Sequence, residues 1–275
     1  MTLKFIIDII EEFAPPAIQE SWDNSGLIIG DQSREVTKIL LALDCTPEVV
    51  ESAVNMGAEL VITHHPLIFK GIKRIEKQTN VGKAIINAIK NDIAIYSVHT
   101  NIDKILRGVS GLMAERIGLK NVEILSRDRD RGYVSAEPVM EEGNRKATEI
   151  GLGVVGDMES PMGVEEFCSM VKDRFSLKIL KTSKPIEGKI SRVALCGGSG
   201  GPHIDEARLS GAQVYISGDI SYHNFFCEDG FMIVDIGHYE SEIGVLELLS
   251  DILSKKISNF AVHIENGANP THYVF

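Results

Sequence analysis

The chain reads as an α/β protein on three observations. Short apolar runs alternate with stretches of helical spacing, glycines stop several of those stretches, and histidines and carboxylates gather just past the ends of the apolar runs. Lys38–Leu43 (KILLAL) is short and apolar, which predicts a buried strand. Pro47–Met56 has helical spacing, with Gly57 as its stop. Leu60–Thr63 predicts a second strand, Val81–Lys90 a helix and Ile93–Val98 a third strand. A helix is expected from Asp103 to Ile117, closed by Gly118. Strand–helix–strand alternation of this kind implies a parallel sheet covered by helices. The polar stretch Arg127–Gly143 is the expected boundary region. A second α/β region follows, with a helix at Val164–Phe175, a strand at Ile190–Cys196 and a GGSGG turn at Gly197–Gly201. Then come a helix near Ile204–Leu209, a strand at Gln213–Ser217, a helix near Ser221–Cys227 and a strand at Phe231–Asp235. A long helix at Tyr239–Leu253 and a last strand at Phe260–Ile264 complete the expectation. Periodicity leaves open whether these strands form one sheet or two.

Composition narrows the function classes. With 275 residues, 44% hydrophobic and 24% charged, the chain has the make-up of a soluble globular protein. No uninterrupted apolar run reaches the roughly 18 residues a membrane span needs. The opening MTLKFIIDIIEEFAPP is acidic and amphipathic and lacks a basic leader, so no secretory signal is expected. Four scattered cysteines without a CxxC pair point to a reducing cytoplasm. A net charge of −11 argues against broad binding to nucleic acid, while leaving room for a local basic patch.

The chemistry concentrates in three groups. His64 and His65 follow the strand LVIT, Asp103 lies four residues past His99 after IAIYSV, and His238 follows FMIVD. In open parallel sheets, ligands bind at the carboxyl ends of strands. His238 and Glu242 are four residues apart and share a helix face, so both can approach one metal, or the carboxylate can bridge two. Pro66 forces His65 into extended backbone, which splays the adjacent imidazoles toward different ions. Three imidazoles and two carboxylates exceed what one open zinc site uses and suit two divalent ions. Such pairs supply a hydroxide nucleophile and stabilise developing negative charge. His99 and Asp44 lie near strand ends and can orient a ligand or a bound water, although Asp44 serves equally as a helix cap before Pro47.

Several other features carry two readings each. The GGSGG turn can cradle phosphate on its amides or can simply pack closely; it is no Walker loop, because no GK[ST] follows. His203 beside it can reach an anion or sit on the surface. Gly151, Gly153 and Gly156 match GxGxxG formally but read as a strand and turn. Trp22 and Asp23 line a pocket mouth or close a loop. His223 enters a pocket as a proton donor or lies on a helix surface.

SWDNSGLIIGD, LALDCTPEVVESAVNMGAELVITHHPLIFKGI, YSVHTNID, CGGSGG and DIGHYESEIG occur in that order across nearly the whole chain. Together they resemble the Nif-three-like family, whose members carry the label GTP cyclohydrolase 1 type 2. The resemblance implies two α/β domains with mixed, largely parallel sheets, the first completed by the C-terminal segment. It places a metal-binding domain at 1–126 plus 236–275 and a second domain at 127–235. It further implies a dinuclear metal site at His64, His65, Asp103, His238 and Glu242, with Glu242 bridging, and a ring-shaped homohexamer. Many bacterial relatives carry an inserted domain, which this length would reduce to a short middle segment at most. The label implies metal-dependent hydrolysis of a nucleotide or related phosphorylated substrate, with His99 and His223 as catalytic candidates. NFFCEDGF after His223 departs from the alanine-rich helix of the family pattern, which weakens the role carried over to that residue. Alternatives are a non-enzymatic ring that binds a protein or DNA partner and a metal-insertion protein. Imidazole and carboxylate ligands leave zinc, iron, manganese and nickel open.

Overall fold

The computed structural model describes residues 1–128, 149–257, 260–265 and 269–272. The expected boundary stretch Arg127–Gly143 and the alternating charges of Arg127–Arg131 lie outside the described residues beyond position 128. The chain divides into two compact units. One comprises Met1–Ile102 with the described residues from 245 onward; the other comprises residues 103–128 and 149–244.

The first unit opens with α1 (Leu3–Phe13), capped by the Thr2 hydroxyl, and continues through β1 (Gly26–Ile29) and β2 (Lys38–Ala42). Next comes α2 (Pro47–Met56), with Thr46 accepting from the Val49 N–H and proline in the first turn. It ends where Gly57 takes φ +69°, the left-handed conformation glycine adopts without a Cβ penalty. β3 (Leu60–Thr63), α3 (Asn80–Lys90), β4 (Ala94–Ser97) and the single turn α4 (Thr100–Asp103) follow.

The strands of this unit form a five-stranded sheet in the order β1-β4-β3-β2-β11, where β11 (Ala261–Ile264) is the late strand. All its pairings are parallel except β1 with β4. Leu40, Ala42, Val61 and Ile95 pack with Val49, Val50, Ala84 and Ile85 of α2 and α3. The alternate residues Ile39, Leu41, Leu60 and Ile62 are fully buried on the opposite face. There α9 (Val245–Lys256) packs against β2, β11 and α1.

The second unit holds α5 (Val109–Ile117), β5 (Lys120–Arg127), β6 (Gly151–Gly163) and α6 (Val164–Arg174). It continues through β7 (Lys181–Thr182), β8 (Lys189–Ser199), α7 (Ile204–Leu209), β9 (Val214–Gly218), β10 (Met232–Asp235) and α8 (His238–Glu242). Its six-stranded sheet has the order β5-β6-β8-β9-β10-β7. Only β8–β9 and β9–β10 are parallel, so this sheet is mixed rather than largely parallel. Along β8 the residues alternate strictly. Val193 and Leu195 pack with Phe167 and Val171 of α6. Ala194 and Cys196 pack with Ala207 of α7 on the other face.

The structure departs from these expectations at several points. The expected helix from Asp103 to Ile117 is broken: Lys104 accepts from the Gly151 N–H and Ile105 bridges Ile150, so α5 starts only after Gly108. The expected helix Tyr239–Leu253 is two helices separated at Ile243–Gly244, because glycine inside a helix costs about 1 kcal/mol. Residues 221–227 hold only a 3₁₀ turn, Tyr222–Phe225, a run of poor helix formers. Among the described residues the chain passes between the two compact units at 102/103 and 244/245, beside expected boundaries of 126/127 and 235/236. Met113 and Ala114 of α5 lie in the core of the second sheet, β5 pairs with β6, and α8 packs on β8 and β9.

Candidate functional site

The histidines of the first unit lie where β3 and β4 end. The ladder between β2 and β3 runs one step past the strand, with the His65 N–H on the Leu43 carbonyl at 2.9 Å. Thr63 Oγ1 donates to the His65 carbonyl at 2.8 Å, pinning the turn before Pro66. His64 is fully buried. Its Nδ1 sits 2.8 Å from the Val98 carbonyl, which can only accept, so Nδ1 carries the proton and Nε2 keeps its lone pair.

His65 Nδ1 lies 2.8 Å from Asp44 Oδ1, and His99 Nδ1 lies 2.7 Å from Asp23 Oδ1. Each imidazole therefore presents Nε2 as a ligand atom, the wiring that metal-binding histidines use. His64, His65 and His99 offer ligand atoms within 4.8 Å of one another, a group that can hold a metal ion. The ring centroids of His64 and His65 are 5.0 Å apart and tilted by 48°.

Asp23 is the anchor of this arrangement. Burial opposes its charge, but hydrogen bonds from His99, Thr100 and the Asn24 N–H outweigh that and hold its carboxyl well below the usual range. From the sequence Asp23 is expected only as a pocket-mouth or loop residue, because the histidine it serves lies 76 positions away.

The second unit carries a histidine–carboxylate pair at the end of β10. His238 opens α8, with Nδ1 2.8 Å from Asp219 Oδ2 and Nε2 2.9 Å from Glu242 Oε2. With Nδ1 donating to one carboxylate, a neutral ring would turn its lone pair toward a second one. The arrangement calls for positive charge there, either a proton on the ring or a cation. The Glu242 side chain is 5% exposed.

Asp103, the last residue of α4, belongs to the same neighbourhood. Burial, then the charge of Asp103, and further down that of Glu242, push the Cys196 thiol up to about 12. Asp219 was not singled out from the sequence, although it follows β9 and so shares the strand-end position. Its φ of 51° is a further mark, since aspartate is among the few residues that tolerate this conformation.

The GGSGG segment is a strand end with a bulge and close packing. Gly197 and Ser199 still belong to β8, and the pairing with β9 slips between Leu195 and Ser199. The amides of Gly197, Gly198 and Gly200 donate to the hydroxyls of Ser110, Ser241 and Ser217 at 3.2, 2.9 and 3.0 Å, so they do not face outward as an anion cradle. Gly198 has φ +63°, and a Cβ there would come within 2.2 Å of Glu242 Oε1. The missing side chain is what lets the carboxylate lie against the strand.

His203 approaches Glu206 at 4.0 Å. His223 is exposed on its 3₁₀ turn, with its ring beside those of Tyr222 and Phe226. No described contact joins it to His238 or Glu242.

The fold and these residues define a two-unit α/β protein with imidazoles and carboxylates collected at strand ends, in groups suited to a metal ion. The chain belongs to the family described as Duf34/NIF3 (NGG1p interacting factor 3), whose model matches residues 1–270. A Clostridium perfringens protein named GTP cyclohydrolase 1 type 2 homolog is 37% identical over 261 residues, covering 94% of each chain. Among solved structures, a hypothetical protein of Staphylococcus aureus superposes with a TM-score of 0.86 at 30% identity, covering 100% of this chain and 99% of the other. A Bacillus cereus protein related to NIF3 gives 0.85 at 27% identity with the same coverage. Among the described residues, no helix is long and apolar enough to cross a membrane.

Proposed function

We propose that the protein is a metal-dependent hydrolase acting on a nucleotide or a related phosphorylated compound, with His64, His65, Asp103, His238 and Glu242 holding a pair of divalent ions. One observation carries this reading. In His64, His65 and His238 Nδ1 lies at hydrogen-bond distance from an oxygen acceptor, which directs Nε2 toward the ligand role, and in His238 that Nε2 faces Glu242 Oε2 at 2.9 Å, where the pair calls for positive charge. The donor set of three imidazoles and two carboxylates suits zinc, iron, manganese or nickel. The name carried by the relatives supports the hydrolase class. When bound, such ions supply Lewis acidity toward phosphate oxygens and make water more acidic.

The chain's own residues do the rest. Asp44, the Val98 carbonyl and Asp219 fix the imidazole tautomers. Glu242 is assigned the bridging role, and its carboxylate is kept in register by Gly198. His99, oriented by Asp23, is assigned to hold and move a proton at Nε2. A homohexamer in a cytoplasmic setting completes the proposal on the strength of the resemblance, and light scattering measures that assembly.

The test is a screen of protein loaded in turn with each of the four metals against GTP and other nucleotides, with His65→Ala as control. Turnover is expected with at least one metal, reduced in the variant by more than about a hundredfold, beyond what loss of a merely supporting group costs. No turnover with any metal, or equal turnover in the variant, would sink the hydrolase reading.

A further inference from the structure

Trp22 is the chain's only tryptophan, and it is 56% exposed. A lone exposed ring is ordinary, but exposed apolar rings in contact with one another mark a surface that binds something. The loop that carries it is nevertheless firmly held. The Glu20 N–H donates to Thr100 Oγ1 at 2.9 Å, the Ser25 N–H donates to Gln19 Oε1 at 2.7 Å, and Asp23 accepts from His99 and from the Thr100 N–H and hydroxyl. Asn24 Nδ2 donates to the Ile68 carbonyl at 2.7 Å, which ties this loop to the one after His65. There Phe69 is 45% exposed.

The ring centroids of Trp22 and Phe69 are 5.7 Å apart at 63°, and the His99 ring lies 6.2 Å from the first and 6.0 Å from the second. Two exposed aromatic rings thus stand at an angle on a hydrogen-bonded frame, against the imidazole group. A flat ring can lie on one of them and meet the other edge-on, the two arrangements aromatic pairs prefer. Beyond Phe69, the exposed Lys70, Lys73, Arg74 and Lys77 make the segment locally positive in a chain of net charge −11, which suits a ligand with an anionic part.

We infer that Trp22 and Phe69 form the seat for a planar heteroaromatic ring, the base of a nucleotide-class ligand, beside His64, His65 and His99. The inference rests on the nucleotide reading above and names the part of the substrate that this corner recognises.

Because Trp22 is the sole tryptophan, its fluorescence reads the seat directly. The full-length protein, metal-loaded and chelator-treated, is titrated with GMP, AMP and ribose phosphate. Both nucleotides are expected to quench the emission, and ribose phosphate is not. By calorimetry, Trp22→Ala and Phe69→Ala are each expected to weaken nucleotide binding about tenfold, with Trp22→Tyr restoring most of it. Equal affinity for nucleotides and ribose phosphate would overturn the inference, as would unchanged affinity in both alanine variants. Emission that shifts on dilution of the protein alone would also overturn it, by showing that a second copy covers Trp22. The two readings fail separately. Quenching by nucleotides without turnover keeps the seat and removes the hydrolase; turnover with KM unmoved in both alanine variants keeps the hydrolase and removes the seat.

Discussion

At the scale of single residues, the chemistry turns on which nitrogen of each imidazole holds its proton. Asp44 is half-exposed and makes its described contact with His65 Nδ1, so its loss should disturb the ligand and spare the fold. Asp44→Asn is expected to keep the native circular dichroism while weakening metal affinity by about 10–100-fold in a chelator competition. Gly198 is the opposite kind of position, where any side chain meets Glu242. Gly198→Ala is expected to lower stability by about 1–3 kcal/mol in urea unfolding and to reduce bound metal in elemental analysis.

Asp23 gives a pH prediction. Its folded-state pKa lies below the ordinary 3.8. The contribution is therefore complete above that value and is lost as pH falls from about 4 toward the folded-state value. Urea midpoints measured down the acid range should fall less steeply in Asp23→Asn than in the parent, and equal slopes would remove Asp23 from the acid response.

At the scale of elements, most of the secondary structure was legible because local signals and tertiary needs agree. α2 has Thr46 as cap, proline in its first turn and a left-handed glycine at its end, and its bounds match the sequence reading. Thr46→Ala is expected to cost about 1 kcal/mol in equilibrium unfolding. Two of the misread elements have local causes, Gly244 and the poor helix formers of 221–227; in the others a distant partner decides. Nothing near Lys104 and Ile105 announces that Ile150 and Gly151 will draw them out of a helix. Gly197 and Ser199 look like a turn and are strand, because β9 and α8 need the backbone to come close.

The candidate site divides in the same way. The five residues expected as ligands stand out in the sequence by their place at or just after strand ends, whereas Asp23 and Asp219 lie 76 and 19 positions from the histidines they contact, a pairing that no local pattern announces.

At the scale of the whole molecule, metal should act on stability as well as chemistry. An ion that binds only the folded chain adds about 2.7 kcal/mol when present at a hundred times its Kd. Chelator-treated protein is accordingly expected to melt several degrees below metal-loaded protein in calorimetry, and coincident transitions would argue against ligation by the folded state.

The parallel pairing of β11 with β2 has a consequence of a different kind, in time. The second unit is made from an almost continuous run of chain, but the first needs α9 and β11, which follow that run in sequence. A nascent chain therefore carries β2 with one bare edge, and the apolar face that Leu246, Leu249 and Leu253 help to bury, throughout translation of the second unit. The first unit starts before the second and can be completed only after it, and its unfinished edge is where a chaperone would have most reason to wait.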